Sequence, residues 1–525
     1  MGRIGLVFMA ATAALVLGVA ALVVGGPGRT AIPVDTLVVG QLAEPRSLDP
    51  ATVTATNDFR ILVNIFEGLT RFKPGTLEVA PALAERWEVL EGGRTYLFHL
   101  KAGVTFHDGS PFDAGAVKFN FERMLNPRHP QAETGPFPLS FFFAAVKRIE
   151  VVDPLTVRFR LDRPFAPLLS NLAYPAGLIV SPNAVRKLGK DFARSPVGTG
   201  PFRFARWESE RQVRLERNDD YRGDPAKLAA IVFRPITDAN ARASEMLAGG
   251  LDVMVETPPD NLASFRDTPR FATYDAAGPH LWFLILNAKE GPLKDRRVRQ
   301  AVNYAIDKQA LVDNVLQGAA TAPAGPISPA FGAASDPSLK PYPYDPDKAR
   351  ALLREAGAEG AEVSLLAAEG GSGMLEPIAM ATAIQADLAK AGLRLTIRSF
   401  EWNAYLARVN AGLGSAGMAE MAWMTNDPDT LPYLTLRGTA TPDKGGFNAG
   451  GYDNPKLDDL LEKARAEVDA TARSALYREV DRLVRDDAPW AFVASGKQNA
   501  VTAANVKGFR LEPSFLLDLR GVSKA

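Results

Sequence analysis

Apolar positions along this chain keep two rhythms, and the rhythms alternate. Short alternating or continuous apolar runs occur at Thr36–Val39, Thr95–Leu100, Thr156–Leu161, Gln212–Leu215, Ile231–Phe233, Leu281–Leu286 and Leu393–Ile397. Such runs predict strands. Between them lie stretches with a helical period. Asp345-Pro346 opens one, with Ala349, Leu352, Leu353 and Ala356 on one face and Gly357 as the stop. Asn454-Pro455 opens another, carrying Leu457, Leu460, Leu461, Ala464 and Val468. Asp295 starts a third, with Val298, Ala301, Val302, Ala305 and Ile306, and Asp307 recaps it before Leu311, Val312, Val315 and Leu316. Thr471 to Asp487 forms a fourth, closed by Pro489. Asp or Asn at the cap, Pro at the first helical position and Gly after the last turn are the residues that helix ends require. The alternation predicts a mixed α/β fold.

The stretch Leu77 to Arg123 packs several such signals together. Pro81, Leu83, Ala84 and Trp87 read as a helical start, followed by a Gly92-Gly93 turn and the strand Tyr96-Phe98-Leu100. A second turn, His107-Asp108-Gly109-Ser110-Pro111, precedes a helix opening near Asp113 with Ala116, Val117, Phe119 and Phe121. Pro- and Gly-rich joints interrupt the chain at Thr134–Pro138, Ser195–Gly200, Thr257–Pro259, Gly278–Pro279, Gly291–Pro292 and Ala322–Pro329. The connection from Pro323 to Pro343 is long and weakly patterned, as functional loops often are.

At 525 residues the chain is too long for one core and calls for two or three domains. Sixty basic and 60 acidic residues cancel, so nothing in the charge points to nucleic acid. There is no cysteine, which excludes disulfides, thiolate catalysis, Cys-ligated zinc and Cys lipidation. Four histidines leave little material for a metal site. At the start, Arg3 precedes an apolar run from Ile4 to Val24 and then Gly25-Gly26-Pro27-Gly28. Residues 1–30 therefore read as a secretory signal, or as an anchor if it stays uncleaved. The rest is expected outside the cytoplasm.

About ten segments, in order from Leu37 to Phe509, resemble the extracellular solute-binding proteins of family 5. They include Glu44-Pro45-Arg46-Ser47-Leu48-Asp49-Pro50, Ile65-Phe66-Glu67-Gly68-Leu69, the Leu77–Arg123 stretch and Val197-Gly198-Thr199-Gly200-Pro201-Phe202. Asp295-Arg296-Arg297-Val298-Arg299-Gln300-Ala301, Tyr344-Asp345-Pro346 and Tyr452-Asp453-Asn454-Pro455 follow. The resemblance implies a two-lobed clamshell of the large type II kind with an extra subdomain. Lobe I would take 34–66, 195–286 and 490–525, the subdomain 67–194, and lobe II 287–489. It implies a monomeric, periplasmic or cell-surface receptor without cofactor or metal. That receptor captures a small solute, a peptide first of all, and hands it to an ABC permease in the cytoplasmic membrane.

The candidate site residues follow from the same resemblance. In peptide-binding relatives a Trp is followed three residues later by an Asp that pairs with the peptide ammonium. Here Trp423 is followed by Asn426, with Asp427 one residue further and Asp429 beyond Pro428. A neutral amide at that place weakens the case for a free-amine ligand and keeps opines, oligosaccharides and other small organic compounds open. Trp423 and Trp402 are expected as aromatic walls. Thr54 and Asn57 are expected near the cleft mouth, and Glu256 and Thr257 similarly. His107-Asp108-Gly109 and Val197-Gly-Thr-Gly-Pro are read as turns: the first is no catalytic pair, and the second lacks the spacing of a phosphate loop. No G-x-S-x-G elbow is present, and carboxylate pairs from distant positions leave an exported hydrolase as the alternative of another class. A membrane-anchored sensor is the other.

Overall fold

The structure, a computed structural model, describes residues 34–525 apart from Asp267 and Ser372. The apolar run Ile4–Val24 lies outside the described residues. Among the described residues no helix is long and apolar enough to cross a membrane.

Among the described residues the large sheet has twelve strands, a short one at Ala320–Thr321 and eleven that frame the site: β1 (Thr36–Gln41), β2 (Phe202–Glu208), β3 (Gln212–Arg217), β4 (Ala230–Pro235), β5 (Val253–Val255), β6 (Phe271–Ala277), β7 (His280–Leu286), β8 (Glu362–Ala368), β9 (Arg394–Phe400), β10 (Met418–Met424) and β11 (Trp490–Ala503). Their order is β9-β8-β10-β7-β11-β5-β1-β4-β3-β2, with β6 also paired to β11. The helices that matter below are α1 (Thr56–Ile65), α2 (Leu168–Ala173), α3 (Ala239–Leu247), α4 (Trp402–Val409), α5 (Pro455–Ala466) and α6 (Ala470–Asp487).

One strand joins the two halves of this sheet. The first part of β11 pairs with β7, from Trp490 opposite Ile285 to Ala494 opposite Trp282. Its last part pairs with β5 and β6, from Lys497 opposite Ala277 to Ala503 opposite Phe271. Gly278-Pro279 makes the second crossing, between β6 and β7. A Cβ on Gly278 would stand 2.1 Å from the Phe515 ring, so any other residue there must displace that ring. His280–Leu286, which the sequence places with the first lobe, hydrogen-bonds to β10 in register His280–Met424 to Leu286–Met418.

Each half has a core on both faces. Alternation along β1 sends Leu37 and Val39 to a core under α1, with Phe59, Leu62 and Ile65, while Val38 joins Val232, Met254, Met246 and Phe265 on the other side. In the second half, Trp282, Leu284 and Leu286 pack beneath the helices at 296–305 and 377–391. Leu281, Phe283 and Ile285 pack beneath α4, α5 and α6 with Tyr405, Leu461, Tyr477 and Trp490. A further core belongs to residues 69–179, where a four-stranded antiparallel sheet and its helices bury Tyr96, Phe98, Phe121, Phe143 and Phe159.

The capped helices begin where their cap residues lie. Asp113, Asp295, Asp345 and Asn454 each accept from a backbone N–H of the first turn. Val468 falls outside that pattern: its helix ends at Ala466 and its side chain is exposed. The helical start expected at Pro81–Trp87 is a strand instead, Ala84–Leu90, paired with Trp87 opposite Phe98 across a Gly92-Gly93 hairpin. Pairing to the strand at 95–100 outweighs the local period there.

Two motifs of the sequence lock each other as structure. The His107 backbone N–H donates to the Gly198 carbonyl at 2.9 Å, and its Nε2 donates to the Gly200 carbonyl at 3.0 Å. Its Nδ1 accepts from Gly198 N at 3.3 Å, and burial pushes the imidazole down to about 4, so it is neutral. A Cβ on Gly198 would meet the Ile65 carbonyl at 2.2 Å. The glycine-rich turn therefore exists to let the subdomain dock closely on α1.

Candidate functional site

Strand direction alone locates the site. β1, β4 and β5 are mutually parallel through β1, and so are β8, β9 and β10 through β8. In the first lobe, β5 runs antiparallel to β11 with Val255 opposite Ala500, so its carboxyl end faces the crossing. In the second, Met424 at the carboxyl end of β10 lies opposite His280, the residue that enters from the crossing. Both lobes thus turn the carboxyl ends of their parallel strands toward the crossing strands. Loops at such ends are where open α/β sheets hold ligands.

The crossing itself is pinned by His280. Its Nδ1 accepts from Gly496 N at 2.9 Å, so the proton sits on Nε2, which donates to the Gly373 carbonyl at 2.8 Å. Burial lowers its pKa and keeps the ring neutral. Ser495 Oγ donates to the His280 carbonyl at 2.7 Å. A cavity of about 440 Å³ opens beside this joint, lined by Pro279–Leu281, Thr425, Ser495 and much of the long loop from Pro323 to Leu339. That volume is in the range of small-ligand pockets.

None of the seven residues singled out in the sequence lines this cavity; Thr425, between Trp423 and Asn426, does. Trp423, next to last in β10, packs edge-on against Phe447 at 5.5 Å. It also roofs an apolar cavity of about 220 Å³ with Phe283, Met421, Phe447 and Trp490. Trp402 follows β9 as the first residue of α4, stacks on Tyr405 and covers Gly371, whose Cβ would sit 2.3 Å from the indole. Thr54 is exposed just ahead of α1, and Asn57 lies in its first turn with a buried Oδ1 that has no hydrogen-bond partner.

Asn426, Asp427 and Asp429 do something the sequence did not suggest: they join the second lobe to the subdomain. Asn426 Nδ2 donates to Asn171 Oδ1 at 2.8 Å, and Ser170 Oγ donates to Asp427 Oδ2 at 2.8 Å. Asp427 also accepts from Arg473 Nη2 at 2.6 Å and from Asp429 N at 2.9 Å. Asp429 pairs with Arg465 at 3.2 Å and accepts from Tyr477 at 3.2 Å. The Arg465 carbonyl accepts from Ala166 N at 2.9 Å, and its guanidinium lies over Phe165 at 4.9 Å. Burial pushes the Asp427 carboxyl up, but the Arg473 guanidinium holds it below the usual range. Asp429, with a weaker partner and Asp427 beside it, is pushed up to about 6, chiefly by burial. An Asp427 so engaged offers no free oxygen for a ligand ammonium while Arg473 stays in place.

The first-lobe rim was less visible in the sequence. Arg60 on α1 is 1% exposed; its Nε donates to the Phe515 carbonyl at 3.4 Å and its Nη2 to Glu256 Oε1 at 3.1 Å. Its Nη1 is buried without a partner, as are Glu256 Oε2, Gln41 Oε1, Gln498 Oε1 and Arg242 Nε. Glu256 itself sits at φ 55, a backbone conformation that non-glycine residues hold where a site requires it. The available signal was Arg60 inside Phe59-Arg60-Ile61-Leu62, a charge among core residues. Nothing local marks Ser170 or Asn171. Among the described residues no cluster of three His, Asp or Glu side chains is arranged to hold a metal ion.

With this geometry in view, the comparisons are decisive. The model for bacterial extracellular solute-binding proteins, family 5, matches residues 78–445. The chain belongs to that family. It is 32% identical to di/tripeptide-binding protein 2 of Pseudomonas aeruginosa, over 93% of this chain and 94% of that one. The solved HbpA2 of Haemophilus parasuis superposes with a TM-score of 0.86 at 29% identity, covering 93% and 100%. The ABC transporter-associated periplasmic binding protein DppA of Helicobacter pylori, solved with the peptide STSA, gives 0.76 at 30% identity, covering 93% and 98%. The family is one of solute-binding proteins, and the two-lobed α/β architecture of these structures is this chain's as well.

Proposed function

We propose that the protein is an exported receptor that closes its lobes on a peptide and presents the closed form to an ABC import permease. One observation carries this reading: the carboxyl-end rims of both lobes face one crossing, and the lobes meet through Ser170–Asp427 and Asn171–Asn426. Such a seam makes a closed state with its own hydrogen bonds. A ligand then shifts the balance only as far as it prefers that state. Trp423 and Trp402 serve as walls, with Asn426 and Asp429 at the seam and Thr54 and Asn57 at the opposite lip. Asp427 acts through closure rather than as the partner of a ligand ammonium. The peptide assignment draws on what the relatives bind. The protein works as a monomer without bond chemistry, and the apolar N-terminal segment directs export.

The test is thermal unfolding of the purified protein with di- to pentapeptides, oligosaccharides, opines and Ni²⁺ complexes. A ligand selective for the folded state adds about 2.7 kcal/mol at a hundredfold excess over Kd and raises the midpoint. A rise with peptides supports the reading. A rise confined to another class replaces the peptide by that class and keeps the receptor.

A further inference from the structure

The long connection from Pro323 to Pro343 takes no part in the seam, yet it supplies most of the lining of the cavity beside the crossing. It is not a slack loop, because one face of α6 is spent on holding it. Arg478 Nη1 donates to the Ala333 carbonyl at 2.6 Å, Arg482 Nη1 to Asp336 Oδ2 at 2.8 Å and Arg485 Nε to the Lys340 carbonyl at 3.2 Å. Among them stands Asp481, 1% exposed, which accepts from Ile327 N through Oδ1 and from Asp336 N through Oδ2, each at 3.2 Å. One carboxylate therefore ties together the two ends of the segment 327–336. Burial pushes it up to about 7 against these two bonds. The chain also comes close here: a Cβ on Gly325 would stand 2.4 Å from Asp481 Oδ1. Positions 478, 481, 482 and 485 share one side of a helix, so a single stripe of α6 sets the shape of the wall.

With these charges turned to the loop, the cavity is faced mainly by apolar groups. Leu281, Pro323, Pro326, Phe331, Leu339 and Leu431 line it. Proline has no N–H, so at Pro323, Pro326, Pro329 and Pro337 the wall offers no backbone donor. Most polar groups on the lining are already bonded. His280 uses both ring nitrogens, Ser495 Oγ donates to the His280 carbonyl, Ser328 Oγ to the Gly278 carbonyl and Ser335 Oγ to the Ile327 carbonyl. Asp336 also accepts from Ser338, and Ser338 first, then Arg482 and Arg478, hold its carboxyl below the usual range. Among the described residues, the Thr425 hydroxyl and the other nitrogens of Arg478 are the polar side-chain atoms of the lining left without a bond. Arg478 already stands in the field of Asp336. A charged group brought into this cavity would give up its water for no partner of equal strength, and such a charge is costly to bury. An apolar group pays no such penalty and gains by leaving water.

We propose that this cavity is a side-chain pocket for the ligand, selecting one large uncharged apolar residue, aliphatic or aromatic, and that Asp481 positions its wall. The proposal rests on the receptor reading above and narrows its peptide to one that carries such a residue. Thr425, between Trp423 and Asn426, joins the cavity to the end of β10, where the seam begins.

The experiment is titration calorimetry of the purified protein with Ala-Ala, Ala-Leu, Ala-Phe, Ala-Lys and Ala-Glu, repeated with Ala324→Asp and Asp481→Asn. Ala-Leu and Ala-Phe should bind about ten- to a hundredfold tighter than Ala-Ala, the value of burying one such side chain. Ala-Lys and Ala-Glu should bind no tighter than Ala-Ala. Ala324 lines the cavity from the loop and is half-buried, and Asp in its place should erase the preference for Leu and Phe. Asp481→Asn keeps the shape of the side chain and gives up one acceptor. It should narrow the Phe-over-Ala ratio, a selectivity that a loss of stability alone leaves in place. Equal binding of all five peptides, tighter binding of Ala-Lys or Ala-Glu, a preference that survives Ala324→Asp, or a ratio unchanged in Asp481→Asn overturns the proposal. If no peptide binds, the peptide reading fails separately. The pocket is then decided with N-phenyl-1-naphthylamine, a neutral apolar fluorophore: an emission rise that Ala324→Asp abolishes upholds it, and no rise, or a rise that Ala324→Asp leaves intact, overturns it.

Discussion

The two rims handle charge in opposite ways. In the second lobe Asp427 meets Arg473 and Asp429 meets Arg465, and a tyrosine and a serine complete the set. In the first lobe Arg60 and Arg242 keep unsatisfied nitrogens around one half-exposed Glu256. Both second-lobe carboxylates are paired, which suits them to hold two bodies in one geometry, although Arg465 Nε is itself a buried donor without an acceptor. The two rims thus differ in how far their buried charges are already paired.

The comparison can be broken first at its strongest pair. Arg473→Met leaves Asp427 buried without its cation, and breaking a buried pair in this way costs about 3–5 kcal/mol. Urea unfolding should show that loss; a change under about 1 kcal/mol would mean the network is not the support it looks to be. Gly278→Ala comes next. Its Cβ would enter the Phe515 ring, and such overpacking costs about 1–3 kcal/mol. The same midpoint measurement checks it, with Gly332→Ala, where a Cβ meets nothing within 4 Å but φ is 57, as a control for backbone strain alone.

The paired change Ser170→Ala with Asn171→Ala removes the two side-chain bonds of the seam. At about 1 kcal/mol each, peptide affinity should fall by roughly 30-fold; Asn171 also donates to the Phe142 carbonyl inside the subdomain, so unfolding of the double variant is measured beside its affinity. Unchanged affinity would separate the seam from closure. A pH-dependent effect sharpens the comparison from within the second lobe. Glu420 is fully buried on β10, and burial pushes its carboxyl up to about 9 against the Ala368 backbone N–H, which lowers it. Its folded pKa lies above the unfolded value, so folding favours the protonated form. The stability this gives is whole below about pH 4.5 and is lost as pH rises toward 9. Glu420→Gln should therefore raise the midpoint more at pH 8 than at pH 5; an increment independent of pH would show the carboxyl to be ordinary.

Much of the fold could be read from residues that act on their own neighbours. Asp113, Asp295, Asp345 and Asn454 cap helices wherever the chain puts them, so those starts were legible. The 14-residue strand β11 was not, because its middle, Ser495-Gly496-Lys497-Gln498, leaves one sheet and enters another, and its polarity belongs to the crossing rather than to a turn. Ala84–Leu90 was misread for the related reason that its partner, not its own period, makes it a strand. In the site, Trp423 to Asp429 stood out through the family pattern. Arg60, Arg242, Ser170 and Asn171 did not, since each acquires meaning only from a residue more than ten positions away.

The most direct test of closure uses the absence of cysteine in the chain. Lys147→Cys on the subdomain and Lys463→Cys on the second lobe, both on exposed side chains, give a unique pair of spin labels. Pulsed electron resonance should find two distance populations in the free protein, collapsing to the shorter one when a peptide shown by calorimetry to bind is added. A bound peptide that leaves the distance distribution unchanged would contradict a receptor that works by closing its lobes.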